Sequence, residues 1–526
     1  MKSCLPGPSR RHWLLCGATL PLLAALPRPA RAADAPPVRR APLTDEERAH
    51  HALKRLAYGP RPQDVQEIQR LGAARWLDAF LQEQLRPQAL PPALEQRLAA
   101  LPTWQETQGE LGERFRKAHQ AQQARKEARA GQGGEDAVAN ARRELVRPVL
   151  QEAQSQRLWR ALESPAQLQE RLVEFWFNHF NVFAGKSAVS VYAGAYEREA
   201  IRPHVLGRFR DLLGATARHP AMLIYLDNHL SVAPGFQPRR ANARTQGLNE
   251  NYARELMELH TLGVDGGYTQ TDVTELARML TGWTLDLRGL GHARDLFTFD
   301  PRRHDTGEKL WLGRRFHHAS PSEGPRAGQR EGEQALDVLA RHPATARHLS
   351  HRLAQTFVAD EPPPALVERL AQVFLRSDGD LRQWTEALLQ APELWSAEHW
   401  QAKYRTPYQY VLAALRAVNA QVDEPALLLP VLAGAGQPLY GWQTPDGYKT
   451  TAAAWRGPEA LTQRVQFAST LAEGRLGRRW NADTRPQTLL STLGPSLQAP
   501  TRAALQGEAP AAQAALLLAG PDFMQC

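Results

Sequence analysis

Cysteine is nearly absent: three residues in 526, two of them, Cys4 and Cys16, close to the N-terminus. Paired Cys-x-x-Cys and Cys-x-x-Cys-His spacings do not occur, which excludes the usual thiolate zinc sites and covalent haem. A phosphate-binding glycine loop, a dinucleotide fingerprint and a Gly-x-Ser-x-Gly elbow are also missing. Past the first 32 residues no apolar run is long enough to span a bilayer. An excess of one charge is lacking as well. Setting aside residues 1–32 removes Lys2, Arg10, Arg11, Arg28 and Arg31 and no acid, so the net charge falls from +9 to +4. Spread over so long a chain, that charge makes no case for a nucleic-acid partner.

The reason for setting those residues aside is their order. Arg10-Arg11 precedes an apolar stretch from Trp13 to Leu26, interrupted by Gly17, Thr19 and Pro21. Ala30-Arg31-Ala32 then supplies small residues for cleavage. Charge, apolar core and cleavage site in that sequence predict a twin-arginine-type signal peptide over 1–32, hence a periplasmic or secreted protein. A flexible leader, 33–43, follows it. Cys526 then stands alone in the mature chain and cannot form an internal disulfide.

The remainder, 44–526, reads as one large all-α domain. Thr44 with Glu47 is a capping box, Thr269 and Asp272 start another helix, and Pro62 opens a helix that stops before Gly72. Ser164, Pro165 and Gln167 start a helix carrying Leu168, Leu172, Phe175 and Trp176. Ala365–Leu375 and Pro458–Leu471 show the same period. Strand signals are few; Leu296–Phe299 and Lys309–Leu312 predict one minor β-hairpin. Between Arg116 and Arg142 Val138 is the one large apolar residue, so about 104–145 reads as a polar helical-hairpin insertion, a solvated spacer or a partner-binding arm.

Three constellations carry chemistry. On the helix near Asn249, Leu248, Tyr252, Leu256 and Leu259 form an apolar stripe, with Asn251, Glu255 and Glu258 beside it. Two acids three residues apart repel unless a cation or proton joins them. Either Arg254 pairs with Glu258, or the carboxylates line a cleft as acid/base groups or hard-metal ligands. The second constellation is Glu174 to Asn181. Glu174, Asn178 and Asn181 share one face and Trp176, Phe177 and Phe180 the next, beside His179. Such aromatics form either core or a sugar-stacking platform. The third is the His304-Asp305 loop, either a proton-handling pair or an Asx turn. Asp305-Thr306-Gly307 also spells the aspartic-protease triplet, which requires two such loops in a β-rich fold.

Phe175-Trp176-Phe177-Asn178-His179-Phe180, Arg202-Pro203-His204, His219-Pro220-Ala221-Met222 and Leu226-Asp227-Asn228 resemble the domain-of-unknown-function 1800 family. So do Gly247 to Glu255, Gly263 to Thr269 and Leu280-Thr281-Gly282-Trp283. The resemblance runs from about His51 to the C-terminus, with the polar hairpin as an insertion. It implies an exported bacterial protein of unassigned activity. It also implies a co-encoded exported partner similar to the sulfatase and alkaline phosphatase superfamily.

The combined expectation is an enzyme acting on an envelope or extracellular polysaccharide, a hydrolase or lyase. Glu255 would be its acid/base and Glu258 the partner, with His304 and Asp305 supporting. Trp176, Asn178, His179, Asn251, Arg254 and Trp283 would contact substrate. A non-catalytic assembly partner and a metal or redox protein are the alternatives, and neither metal nor cofactor is specified.

Overall fold

Helix starts are set by the residues read from the sequence. In the computed structural model Thr44 and Glu47 exchange both bonds of a capping box and open the helix Asp45–Arg55. Thr269 and Asp272 do the same for Gln270–Met279. The helix after Pro62 runs Pro62–Leu71 and ends at Gly72. The structure describes residues 41–128, 142–237, 247–316, 326–476 and 480–526. From Pro42 onward these form one compact unit.

Among the described residues helix takes up 60% and strand 4%, so the architecture is all-α. The β structure differs from the single hairpin expected. The two predicted strands do not pair with each other: Phe297–Phe299 (β2) pairs with Trp283–Leu285 (β1), and Lys309–Trp311 (β3) with Arg314–Phe316 (β4). Each strand found a partner nearer in sequence or in the core. Trp283 is fully buried on β1, and Gly313, with φ of 71°, makes the tight turn between β3 and β4.

Two helices form the centre. Gln167–His179 and Pro407–Ala417 are buried nearly all round, as expected for elements sandwiched between others. A third, Val189–Tyr196, is mostly apolar and almost wholly buried, and runs into a π-helical turn, Glu197–Ile201. Such turns shift side chains out of α register, and here Glu197 is completely buried. Its carboxylate lies 3.1 Å from Arg157 and 2.8 Å from Arg202, and accepts from the Tyr440 hydroxyl at 2.9 Å. Arg202 also holds the buried Glu170 at 2.6 Å. The chain ends against this core, with Gln525 paired antiparallel to Tyr404.

The first limb of the expected polar insertion is the helix Gln108–Ala128. Its base is not free of the body. Leu111 and Ala118 are buried, and Gly109 exchanges backbone bonds with Ala293 and Gly291. The expected return limb falls largely on 129–141, outside the described residues. No helix among the described residues is long and apolar enough to cross a membrane.

Candidate functional site

The polar face of Gln167–His179 opens onto a narrow pocket that is partly open to solvent. Glu174, Phe177, Asn178 and, just past the helix end, Asn181 line one wall. Arg55, Arg157 and Arg352 reach it from three other helices, and Lys403 to Gln409 and the 437–450 loop close it. Phe175, Tyr404, Tyr408, Tyr440 and Tyr448 add aromatic surface.

Most polar groups here already have partners. Glu174 pairs with Arg171 and accepts from Gln409 at 2.8 Å. Asn178 grips the loop with both ends of its amide: Nδ2 donates to the Tyr448 carbonyl at 2.9 Å, and Oδ1 accepts the Tyr448 N–H at 2.7 Å. Gly447 makes this approach feasible, since a Cβ there would lie 2.2 Å from the Asn178 carbonyl oxygen. Asn178 is therefore a positioning residue for the loop. Arg157 stacks between Phe177, Tyr408 and Tyr440 while held by Glu197. Burial alone would push the Glu197 carboxyl up; Arg157 and Arg202 outweigh it and hold it below the usual range. Cys526 also borders the pocket. Burial pushes its thiol up, but Arg55, Arg405, Arg171 and Lys54 hold it below the usual value.

Neither Glu255 nor Glu258 lines the pocket. Both are half-buried on the helix Asn251–Glu258. Burial and the neighbouring Glu258 push the Glu255 carboxyl up, Arg254 opposes them, and Asp446 adds to the rise. Asp446 binds Lys449 of the pocket at 2.7 Å, which places Glu255 within electrostatic reach of the loop. Arg254 does not pair with Glu258. It turns back to Glu250 at 3.3 Å and to Gln270 at 2.9 Å, because Glu250 is already fixed by Gln270 and Thr274 of the next helix. Asn251 is exposed at the helix start, where its Nδ2 reaches the Leu226 carbonyl at 3.4 Å.

The remaining expected site residues stand elsewhere. Trp176 and Trp283 are fully buried core, and a Cβ on Gly332 would meet the Trp283 ring at 2.6 Å. His179 is buried with Nε2 3.1 Å from the His260 carbonyl. His304 is buried too. Its Nδ1 donates to the Thr281 carbonyl at 2.8 Å, and its Nε2 lies 3.4 Å from Glu331, which Lys309 holds at 2.6 Å. Asp305 is gripped by Arg278 at 2.8 and 3.1 Å and accepts the Gly307 N–H at 2.9 Å. That is the Asx turn of the alternative reading, and neither His304 nor Asp305 lines the pocket. Among the described residues no three His, Cys, Asp or Glu gather in a way that would hold a metal ion.

The basic residues of the pocket escaped the sequence reading. Arg55, Arg157, Arg352, Lys403 and Lys449 come from five separate segments and share no local motif; the Glu174–Asn178–Asn181 face was the one visible trace. Residues 51–525 match the family described as Protein of unknown function (DUF1800). No curated protein and no solved structure matches the chain. With nearly its whole length covered, the chain belongs to the DUF1800 family.

Proposed function

We propose that this chain is an exported protein that binds a carbohydrate chain in the pocket and cleaves it, using Glu255 as the proton donor or acceptor. The observation that carries the reading is the pocket's lining: the rings of Phe175 and Tyr448 beside hydroxyls, amides and a carboxylate, the rings of Phe177, Tyr404, Tyr408 and Tyr440 being covered by arginines. Sugar rings are held by this combination of stacking and directional polar groups. Glu255, linked to the pocket loop only through its electrostatic interaction with Asp446, has no ion-pair partner among the described residues, and burial and Glu258 raise its carboxyl, which favours a proton-carrying role. Export follows from Arg10-Arg11 and the cleavage pattern after them.

A turnover screen of envelope and extracellular polysaccharides against wild type and Glu255→Gln tests this. Release of reducing or unsaturated ends by wild type, lost in the variant, is the expected result. Equal release by both proteins removes Glu255 from the chemistry, and no bound or cleaved glycan at all removes the carbohydrate reading.

A further inference from the structure

The charges around the pocket do not cancel, and one guanidinium is left over. Arg171 has Glu174, Arg157 has Glu197 at 3.1 Å, Lys403 has Asp360 and Lys449 has Asp446 at 2.7 Å. Arg55 gives its terminal nitrogens to the carbonyls of His399 at 2.6 Å and Phe357 at 3.4 Å. Arg352 differs from all of these. It is half-buried on the helix Pro343–Phe357, lines the pocket, and has no carboxylate or hydrogen-bond partner among the described residues. The one acid in its neighbourhood, Asp446, already accepts from Trp442 at 3.0 Å and Thr444 at 2.6 Å and pairs with Lys449.

A guanidinium carries five N–H donors and no acceptor. Those of Arg352 are left to solvent, free to be taken by a ligand that brings the acceptor. Planar oxyanions match the guanidinium fork with two parallel bonds, which a neutral hydroxyl cannot do. Arg171, Lys403 and Lys449 on the wall are each matched by an acid, so the excess positive charge that an arriving anion meets comes from Arg352 and from Arg55, which bonds only to carbonyls.

Resting on the carbohydrate reading above, we infer that the glycan is anionic and that Arg352 is the residue that takes its carboxylate, sulfate or phosphate group. The pocket thereby selects charged polymers over neutral ones of the same shape.

Calorimetric titration of the full mature chain tests the inference. The probes are a galacturonic-acid oligomer, its methyl ester, a sulfated glycosaminoglycan oligomer, a phosphate-bearing glycan oligomer and a neutral glucan oligomer. At least one charged probe should bind about tenfold or more tightly than the neutral probes, weakening as salt rises. Arg352→Gln should abolish that preference, lowering affinity for the charged probe roughly 10- to 100-fold and for the neutral probes by far less. Arg352→Lys, which keeps charge but loses the fork, should fall between them, and unchanged circular dichroism confirms that both variants fold. Equal affinity for charged and neutral probes, or a charge preference that survives Arg352→Gln, overturns the inference while leaving the carbohydrate reading in place. Failure of every glycan to bind overturns both.

Discussion

Glu255, the expected acid/base, and Asp305, the expected supporting acid, have sharply different surroundings. Asp305 is fixed by two bonds from Arg278 and by the Gly307 N–H, and burial's upward push on its carboxyl is outweighed by those bonds. Glu255 has burial and a like charge against it and only Arg254 in its favour. The mutational responses should therefore diverge. Glu255→Gln mimics the protonated acid, so it should leave stability within about 0.5 kcal/mol of wild type or raise it. Asp305→Asn leaves Arg278 with half its partner and should cost about 1–3 kcal/mol. Chemical denaturation of the two variants side by side checks this; equal losses would show that Glu255 is an ordinary structural acid. Trp283 gives a contrasting case. Read as a substrate contact, it proves to be packed against Phe297 and Gly332 in the core. Trp283→Ala should cost about 3–5 kcal/mol through cavity formation. Gly332→Ala should cost about 1–3 kcal/mol because its Cβ has no room. Melting curves measure both, and a Trp283→Ala protein of undiminished stability would place the ring outside the core.

Elements that begin with local chemistry were legible; elements that depend on a distant partner were not. The capping boxes at Thr44 and Thr269 act within four residues, so sequence alone locates those helices. Strand pairing is non-local. Phe297–Phe299 has the alternation of a strand, but nothing in it says that Trp283–Leu285, rather than Lys309–Trp311, is its neighbour. The polar insertion is an intermediate case. Its composition marks it as solvated, yet Leu111, Phe115 and the glycines at 109 and 112 tie its first turns to the body. Gly112 has the Tyr192 hydroxyl 2.3 Å from where a Cβ would stand. Replacing 116–142 by a short Gly-Ser linker keeps those contacts and should lower Tm by less than about 5 °C. Replacing 108–142 removes Leu111 and the backbone bonds to Ala293 and Gly291, and should lower it by clearly more. Scanning calorimetry separates the two, and equal falls would mean that the anchoring lies beyond residue 116.

At the scale of the whole molecule the small net charge conceals an uneven interior. The pocket gathers cations from segments hundreds of residues apart, which is why composition gave no warning of it. The same interior encloses several histidines. His260 is fully buried, and neither ring nitrogen has a hydrogen-bond partner among the described residues; burial, with His348 adding to it, lowers its pKa to about 3. His348 is lowered to about 4 by burial and by Arg352, and His50 to about 4 by burial and by Lys54. All three folded values lie below the 6.5 of an unfolded histidine, so in the interval between them the unfolded chain binds more protons than the folded one. Stability is then fully present above pH 6.5 and is lost as the pH falls through that interval, at up to about 1.4 kcal/mol per pH unit for each histidine. The carboxylates of Asp446 and Asp483, lowered to about 2, add their own loss only below their unfolded value of 3.8. Acid unfolding followed by tryptophan fluorescence should therefore begin well above pH 4, in the histidine window. His260→Leu removes a titrating group that has no bond to lose and should move the midpoint to lower pH. A wild-type chain that stays folded down to pH 4, or a midpoint that His260→Leu leaves in place, would show that these buried rings do not set the acid limit of the fold.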